Sequence, residues 1–290
     1  VIKGSIYTNT VINLDFTFRS GQIFRWNKIN GYWIGITHDT AVALIQKGNV
    51  LKFKFEGKMK YEDLVEFLSL NEDFSEIFKK FSSNDIASKL FKKYRGLRIL
   101  KQDPWECTIS YLSASMNNIK RINRMLNVLS SFSKTTLSIG NLKLKGFPKY
   151  EDLMNLKEED FKKLGFGFRS SYYVDLINKV KEDFEIGSLK KLDTNNLREK
   201  LMEIKGIGKK TADCIALYSF HRLECFPQDR WIKRAIIKYY RKPLEGFIGI
   251  KIDKKTMDKN YDNIAQFFNE KYLGIAGYIQ LLLYVHTRKI

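Results

Sequence analysis

The rhythm of hydrophobic and polar positions changes part-way along the chain. Ile12, Leu14, Phe16 and Phe18 alternate with Asn13, Asp15 and Thr17, the period of two expected of a half-buried strand. Tyr32–Ile36, Thr40–Ile45 and Val50–Phe55 are further β-rich runs, separated by the turn-forming Asn30-Gly31 and Lys47-Gly48-Asn49. Residues 1–55 therefore read as strands in an antiparallel meander. Helical patterns follow over Tyr61–Leu70, Phe74–Phe81 and Asp85–Tyr94, and from residue 101 onward nearly everything reads as helix. The expected fold class is α+β. An N-terminal antiparallel sheet domain with flanking helices occupies 1–100, and a mainly α-helical core occupies 101–290. The change of pattern near 96–103 marks the boundary, with no internal repeat or low-complexity linker.

Local signals sharpen the helical half. Asp103-Pro104-Trp105-Glu106 predicts a helix start, with Asp103 as cap, Pro104 in the first helical position and Glu106 completing a capping box. That helix is expected to end near Ser115. Met116-Asn117-Asn118 interrupts it before a second amphipathic helix resumes at Ile119. An Asn pair between helices is ordinarily a cap and a turn; beside Lys120 and Arg121 it can also present polar groups to DNA.

Charge adds a partner to this picture. The 290 residues carry 51 Lys+Arg against 32 Asp+Glu, a net charge of +19, yet 44% are apolar and 14% aromatic. Such a chain can bury a core, so it is not a disordered basic tail. The surplus points to a polyanion, nucleic acid first and an anionic membrane surface second. No apolar run approaches the length of a membrane span, and no signal-peptide pattern opens the sequence. Between Glu106 and Glu151 there is no acidic residue, while seven Lys and Arg fall there; a second basic stretch, Arg230–Lys255, is opposed only by Glu245 and Asp253. Three dispersed cysteines (Cys107, Cys214, Cys225) without a C-x-x-C argue for a reducing compartment and against a zinc ribbon or iron–sulfur cluster. No metal or other cofactor is expected.

Residues 201–215, LMEIKGIGKKTADCI, carry the chemistry. An apolar helix end leads into Gly206-Ile207-Gly208, and a second helix begins at Lys209-Lys210. Two glycines permit a tight turn, Ile207 plugs the apolar space between the helices, and free N–H groups at the new helix start face an anion. This is a helix-hairpin-helix element over about 195–220, suited to holding a DNA phosphate without reading sequence. Lys210 can be a plain phosphate-neutralising lysine. A chemical role is favoured by its place in a first helical turn and by Lys209 beside it, both of which are expected to depress its pKa as an amine nucleophile requires. Cys214, at i+4, shares its helix face. Downstream, Phe226-Pro227-Gln228-Asp229 delivers Asp229 to the next helix start, as a simple cap or as a carboxylate that stabilises a developing sugar cation.

With these elements in order the chain resembles the helix-hairpin-helix DNA glycosylases, and within them the 8-oxoguanine DNA glycosylase/lyase family. The matching segments are SGQIFRW (Ser20–Trp26), QDPWECTISYLSASMNNIKRI (Gln102–Ile122), GFPKYEDL (Gly146–Leu153), KLGFGFRSSYYV (Lys163–Val174), the hairpin, FPQD and AGYIQLLLY (Ala276–Tyr284), spread over nearly the whole chain. The resemblance implies excision of 8-oxoguanine from duplex DNA by base flipping. Lys210 matches the nucleophile that attacks C1′ and forms a Schiff base, and Asp229 matches the supporting carboxylate. Gly21 matches the glycine whose carbonyl accepts the N7–H of the lesion, Gln280 the reader of its pairing edge, and Tyr284 and Cys214 the groups on its two faces. Phe168 matches a wedge, and Asn117, Asn118 and Arg121 match groups that fill the gap and contact the orphaned cytosine. Arg169, Gly206, Gly208, Lys209, Arg230 and Trp231 complete the expected DNA-binding set.

The sequence departs from the family where Met116 replaces the first Asn of a triplet, Trp231 a phosphate-contacting His, Phe168 a Tyr and Tyr284 a Phe. Met116 cannot hydrogen-bond a cytosine, so weak discrimination of the opposite base is expected. Trp26 and Trp105 read as core. Two alternatives stand beside this reading: a glycosylase of the same superfamily for another damaged base, and a non-catalytic hairpin DNA-binding module. The partner is duplex DNA containing 8-oxoguanine, with no membrane, and the enzyme is expected to act as a monomer in a nucleoid-associated cytoplasmic setting.

Overall fold

The computed structural model describes residues 1–7, 12–81 and 86–290. Its strands are β1 (Ile2–Tyr7), β2 (Asn27–Ile29), β3 (Tyr32–Thr37), β4 (Thr40–Lys47), β5 (Val50–Glu56), β6 (Thr136–Ile139) and β7 (Leu142–Lys145). Among the described residues the first helices are α1 (Leu14–Arg19), α2 (Tyr61–Phe67), α3 (Phe74–Lys79) and α4 (Ile86–Lys93). The helical half holds α5 (Pro104–Ala114), α6 (Ile119–Ser130), α7 (Tyr150–Leu153), α8 (Glu158–Lys163), α9 (Ser170–Lys181), α10 (Thr194–Met202), α11 (Lys209–Tyr218), α12 (Arg230–Tyr239), α13 (Arg241–Ile248), α14 (Lys254–Lys259), α15 (Tyr261–Lys271) and α16 (Ala276–Arg288). The α+β class is as expected. Asp85, expected to open the third helical pattern, lies outside the described residues.

The large sheet is antiparallel, with strand order β1-β5-β4-β3-β2. Its register pairs Trp33 with Leu44 and Leu44 with Phe53, so one face buries Trp33, Val42, Leu44, Leu51, Phe53 and Phe55 against α1 and α2. Trp26 belongs to this core, stacked on Phe18 at 4.5 Å and on Phe67 at 5.4 Å. A second, larger core joins the helices from α5 to α16. It also takes in Phe74, Ile77, Leu90, Phe91 and Tyr94, so α3 and α4 pack with the helical half.

Three expectations are corrected. The run from Ile12 to Phe18 is not a strand: Leu14–Arg19 is helical, because the Asn13 side chain caps it by accepting from Phe16 N at 3.0 Å. Leu14, Thr17 and Phe18 (i, i+3, i+4) then face the core. The helical half is not uniformly helical. β6 and β7 form a hairpin whose Ile139, Leu137 and Leu144 cover Ile34, Ala41 and Ala43 on the outer face of the sheet. Asp103 caps α5 as expected, accepting from Glu106 N at 2.8 Å, but Glu106 completes no box. Its carboxylate is taken by Arg25 at 3.0 Å, and Arg25 also donates to Lys145 O at 2.6 Å. A strong ion-pair partner outcompetes the single N–H at the cap.

Candidate active site

The hairpin places the central lysine. α10 and α11 are joined through Gly206, whose φ is +89°. A Cβ there would overlap the Tyr172 ring, so this position requires glycine. Gly208 does not share that requirement: its φ is −101°, and nothing lies within 4 Å of where a Cβ would stand. It leaves the start of α11 uncapped and open, which suits an incoming anion. Ile207 is buried between the helices as expected.

Lys210 projects from the first turn of α11 into a cavity of about 160 Å³. Gly21, Cys214, Asp229, Gln280 and Tyr284 line it, as do Asn117, Asn118, Arg230 and Trp231, so segments far apart in sequence converge on one space. Tyr111 and Tyr218 stack at 5.6 Å on its wall, and the Lys210 Nζ sits 5.7 Å over the Tyr111 ring. Cys107, Cys214 and Cys225 are buried free thiols, and Cys214 is pushed up to about 11 by burial, so it is a neutral thiol at neutral pH.

The expected depression of the Lys210 pKa is not found. Burial pulls it down and is the largest influence, but the Asp229 carboxylate and a hydrogen bond with Cys214 are among the contacts that oppose it, and the net direction is up. Lys209 does not act as the neighbouring cation that lowers it, because it pairs with Asp262, which Arg198 also holds at 2.9 Å. In the free protein Lys210 is an ammonium at neutral pH.

The Gly21 and Gln280 side of the cavity is held by hydrogen bonds already in place. Gly21 has φ +81°, and a Cβ on it would stand 3.1 Å from the Tyr284 ring. Its loop is anchored by the buried Gln22, whose amide nitrogen donates to Arg98 O at 2.8 Å and whose amide oxygen accepts from Leu100 N at 2.8 Å. The carbonyl of Gln22 accepts from Gln102 Nε2 at 2.8 Å and from Tyr111 OH at 3.1 Å. Gln280 is buried on α16; its oxygen accepts from Tyr218 OH at 3.2 Å and its nitrogen donates to Pro227 O at 3.2 Å. Tyr284 lies one turn on, with Arg288 donating to its hydroxyl at 2.8 Å. Asp229 is the N-cap of α12, accepting from Trp231 N and Ile232 N at 2.9 Å, and also faces the cavity, so its two roles coexist.

A larger open groove adjoins the cavity. Met116, Arg121, Gly206, Gly208 and Lys209 line it, together with Lys210 and Arg230. Met116 is 90% exposed at φ +48°, a conformation that suits Asn better than an unbranched apolar side chain. Asn117 is committed internally: its nitrogen donates to Ser113 O at 3.0 Å and its oxygen accepts from Asn118 N at 3.1 Å. Asn118 caps α6 by accepting from Arg121 N at 3.0 Å. Arg169 lines neither space. It is buried, donating from Nε to Ser115 O at 2.9 Å and from its guanidinium to Met116 O at 3.1 Å. Phe168 is exposed beside it, packed edge-on against Tyr172. Trp105 is half-buried and donates to Pro148 O at 2.8 Å.

Residues not singled out from sequence complete the cavity. Tyr111 and Tyr218 gave no local signal, since their role depends on a stack between two helices. Arg288 was within reach of sequence reasoning, at i+4 from Tyr284 on the same helix. Among the described residues no cluster of His, Cys, Asp and Glu could hold a metal ion, and no helix is long and apolar enough to cross a membrane.

Comparison with known proteins agrees with this geometry. Residues 5–108 match the family model for the N-terminal domain of 8-oxoguanine DNA glycosylase. The chain is 30% identical to the N-glycosylase/DNA lyase OGG1 of Arabidopsis thaliana, over 96% of this chain and 78% of that protein. It is 28% identical to the N-glycosylase/DNA lyase of Saccharomyces cerevisiae, over 92% and 81%. The solved structure of MBOgg1 with a low-affinity DNA ligand superposes with a TM-score of 0.88 at 28% identity, covering 99% of this chain and 96% of that one. The Clostridium acetobutylicum 8-oxoguanine glycosylase/lyase, bound to duplex DNA with cytosine opposite 8-oxoguanine, gives 0.85 at 28% identity over 96% and 92%. The chain belongs to the 8-oxoguanine DNA glycosylase/lyase family.

Proposed function

We propose that this protein excises 8-oxoguanine from duplex DNA and cleaves the resulting abasic strand, with Lys210 as nucleophile. The observation that carries the reading is the convergence of Lys210, Asp229, Gly21, Gln280 and Tyr284 on one cavity beside an open, cation-lined groove. A flipped base fits between the Tyr284 ring and the Cys214 side. The Gly21 carbonyl accepts the lesion's N7–H, and the Gln280 amide, already oriented by Tyr218 and Pro227, reads its pairing edge.

The reaction requires the Lys210 ammonium to give up one proton to solvent before it attacks. Entry of the base expels water and deepens the burial that already opposes the ammonium. The amine then attacks C1′, the C1′–N9 bond breaks, and the departing base takes up the proton released on attack. Asp229, fixed by its two cap hydrogen bonds, stabilises positive charge developing on the sugar. Ring opening gives a Schiff base on Lys210, loss of a C2′ proton expels the 3′ phosphate, and hydrolysis releases the enzyme.

On the DNA side, Asn117, Asn118 and Arg121 fill the vacated stack with Met116 at the tip, and Phe168 wedges beside the lesion. Arg169 contributes by holding the Ser115–Met116 carbonyls. The start of α11 at Gly208, with Arg230 and Trp231, meets phosphates. The protein works as a monomer in a reducing, nucleoid-associated compartment. The test is borohydride trapping on duplexes with a single 8-oxoguanine. A covalent adduct with the wild type supports the reading, whereas binding without any adduct favours a non-catalytic hairpin module.

A further inference from the structure

The cations of α12 fall into two environments. Lys233 is neutralised by Asp258. Arg230, Arg234 and Lys238 recur every four residues on another face, where all three are exposed. Among the described residues none of these three forms an ion pair with a carboxylate. A helix face that keeps three positive charges without counter-charges is self-repelling unless a polyanion lies on it.

This face is continuous with the lesion cavity. Arg230 lines the cavity, and Arg230 and Arg234 flank the Trp231 ring at 5.3 and 4.8 Å. At its far end Arg234 and Lys238 enter a second groove, where they meet Lys93 of α4 and Lys289 beyond α16. The groove wall is braced by His286, whose Nε2 lies 3.2 Å from Tyr239 OH and whose Nδ1 lies 3.4 Å from Tyr94 OH. His286 is held below its ordinary value by burial and by the fields of Lys93 and Lys238. From Arg230 to Lys238 the helix advances about 12 Å at ~1.5 Å per residue. A DNA strand winds around its axis as it advances about 3.4 Å per phosphate, so three cations spread over this length can each face a phosphate of one strand.

We propose that the Arg230–Arg234–Lys238 face, extended by Lys93 and Lys289, is a phosphate track that carries one strand of the duplex arm on a single side of the lesion. The proposal rests on the glycosylase reading only for the position of the lesion. The deciding experiment measures affinity against NaCl concentration for the wild type and for R234Q/K238Q. The duplexes carry one 8-oxoguanine and either two long arms or one arm cut back on either side. With two arms, the log–log slope should fall by about 1.8 in the double variant, the value for two lost phosphate contacts. Cutting back one particular arm should abolish the difference between the proteins, and cutting back the other should preserve it. R234K/K238R should keep the wild-type slope. An unchanged slope in R234Q/K238Q, or a difference that survives removal of either arm, overturns the track. If the wild type forms no adduct on 8-oxoguanine, the glycosylase reading fails separately. The slope comparison on undamaged duplex then still decides whether the face binds phosphate.

Discussion

The cavity proposed to read the base and the Met116 loop lie side by side, yet they are built in opposite ways. In the cavity every polar side chain proposed to read the lesion is already fixed: Gln280 by Tyr218 and Pro227, the Gly21 loop by Gln22, and Asp229 by the cap of α12. In the loop the exposed group is an apolar side chain on a left-handed backbone, and the amide beside it is spent on Ser113 and on Asn118 N. Pre-organised donors and acceptors discriminate strongly, because a mismatched ligand leaves buried groups unpaired. An exposed methionine fills space and discriminates little. The lesion strand should therefore be read stringently and the opposite strand loosely.

Lys210→Gln tests the first half of this contrast most severely. The variant should form no trapped adduct on 8-oxoguanine duplex while still binding it, because the hairpin and groove remain. An adduct that persists would move the nucleophile elsewhere. Asp229→Asn should have the next largest effect. Asn still caps a helix, so affinity should change little, while single-turnover excision slows by about 10²–10⁴-fold. An unchanged rate would reduce Asp229 to its cap.

Beneath the cavity, α11 is clamped by a buried charge. Asp213 faces Arg198 at 2.7 Å and accepts from Tyr261 OH at 2.6 Å, and burial raises its carboxyl to about 6 despite both partners. A carboxyl whose folded value exceeds its unfolded value of about 3.9 binds its proton more tightly in the native state. Its contribution to stability is therefore fully present below the unfolded value and is lost as pH rises toward about 6. The change is on the order of 3 kcal/mol. Denaturant titrations at pH 4 and pH 7 should show this drift in the wild type and lose it in Asp213→Asn. A drift of the same size in the variant would assign it to another group.

How much of this was legible in the sequence follows from the range of the forces involved. β3, β4 and β5 were readable because strand alternation and turn residues are local signals. Leu14–Arg19 was not, because six residues with apolar positions at 14, 16 and 18 satisfy a period of two as well as one helical turn, and the Asn13 cap decided between them. The β6–β7 hairpin was hidden because its exposed, basic faces resemble a polar loop, and only its contact with the sheet makes it a strand pair. The site residues were found through family motifs, and the cavity brings most of them together. The charge state of Lys210 was out of reach. It depends on Asp229, which reaches it across the cavity from a different helix and is not near in sequence.

The smallest expected effect bears on the second half of the contrast. With Met116 at the tip, excision rates should vary little among duplexes carrying cytosine, adenine, guanine or thymine opposite the lesion. Arg121 and the two Asn residues remain nearby, but Asn117 has its amide committed and the Asn118 oxygen is held by the cap, which leaves only the Asn118 amide nitrogen open. Met116→Asn should do two separable things. Asn tolerates the left-handed conformation better than Met, so stability should rise slightly, by about 0.5 kcal/mol or less. Its amide can also bond an orphaned cytosine, so the preference for cytosine should grow by several-fold, the worth of about one hydrogen bond. A strong cytosine preference already present in the wild type would show that Arg121 or the Asn pair rearranges on binding. The loop would then be as selective as the cavity, and the contrast between the two regions would disappear.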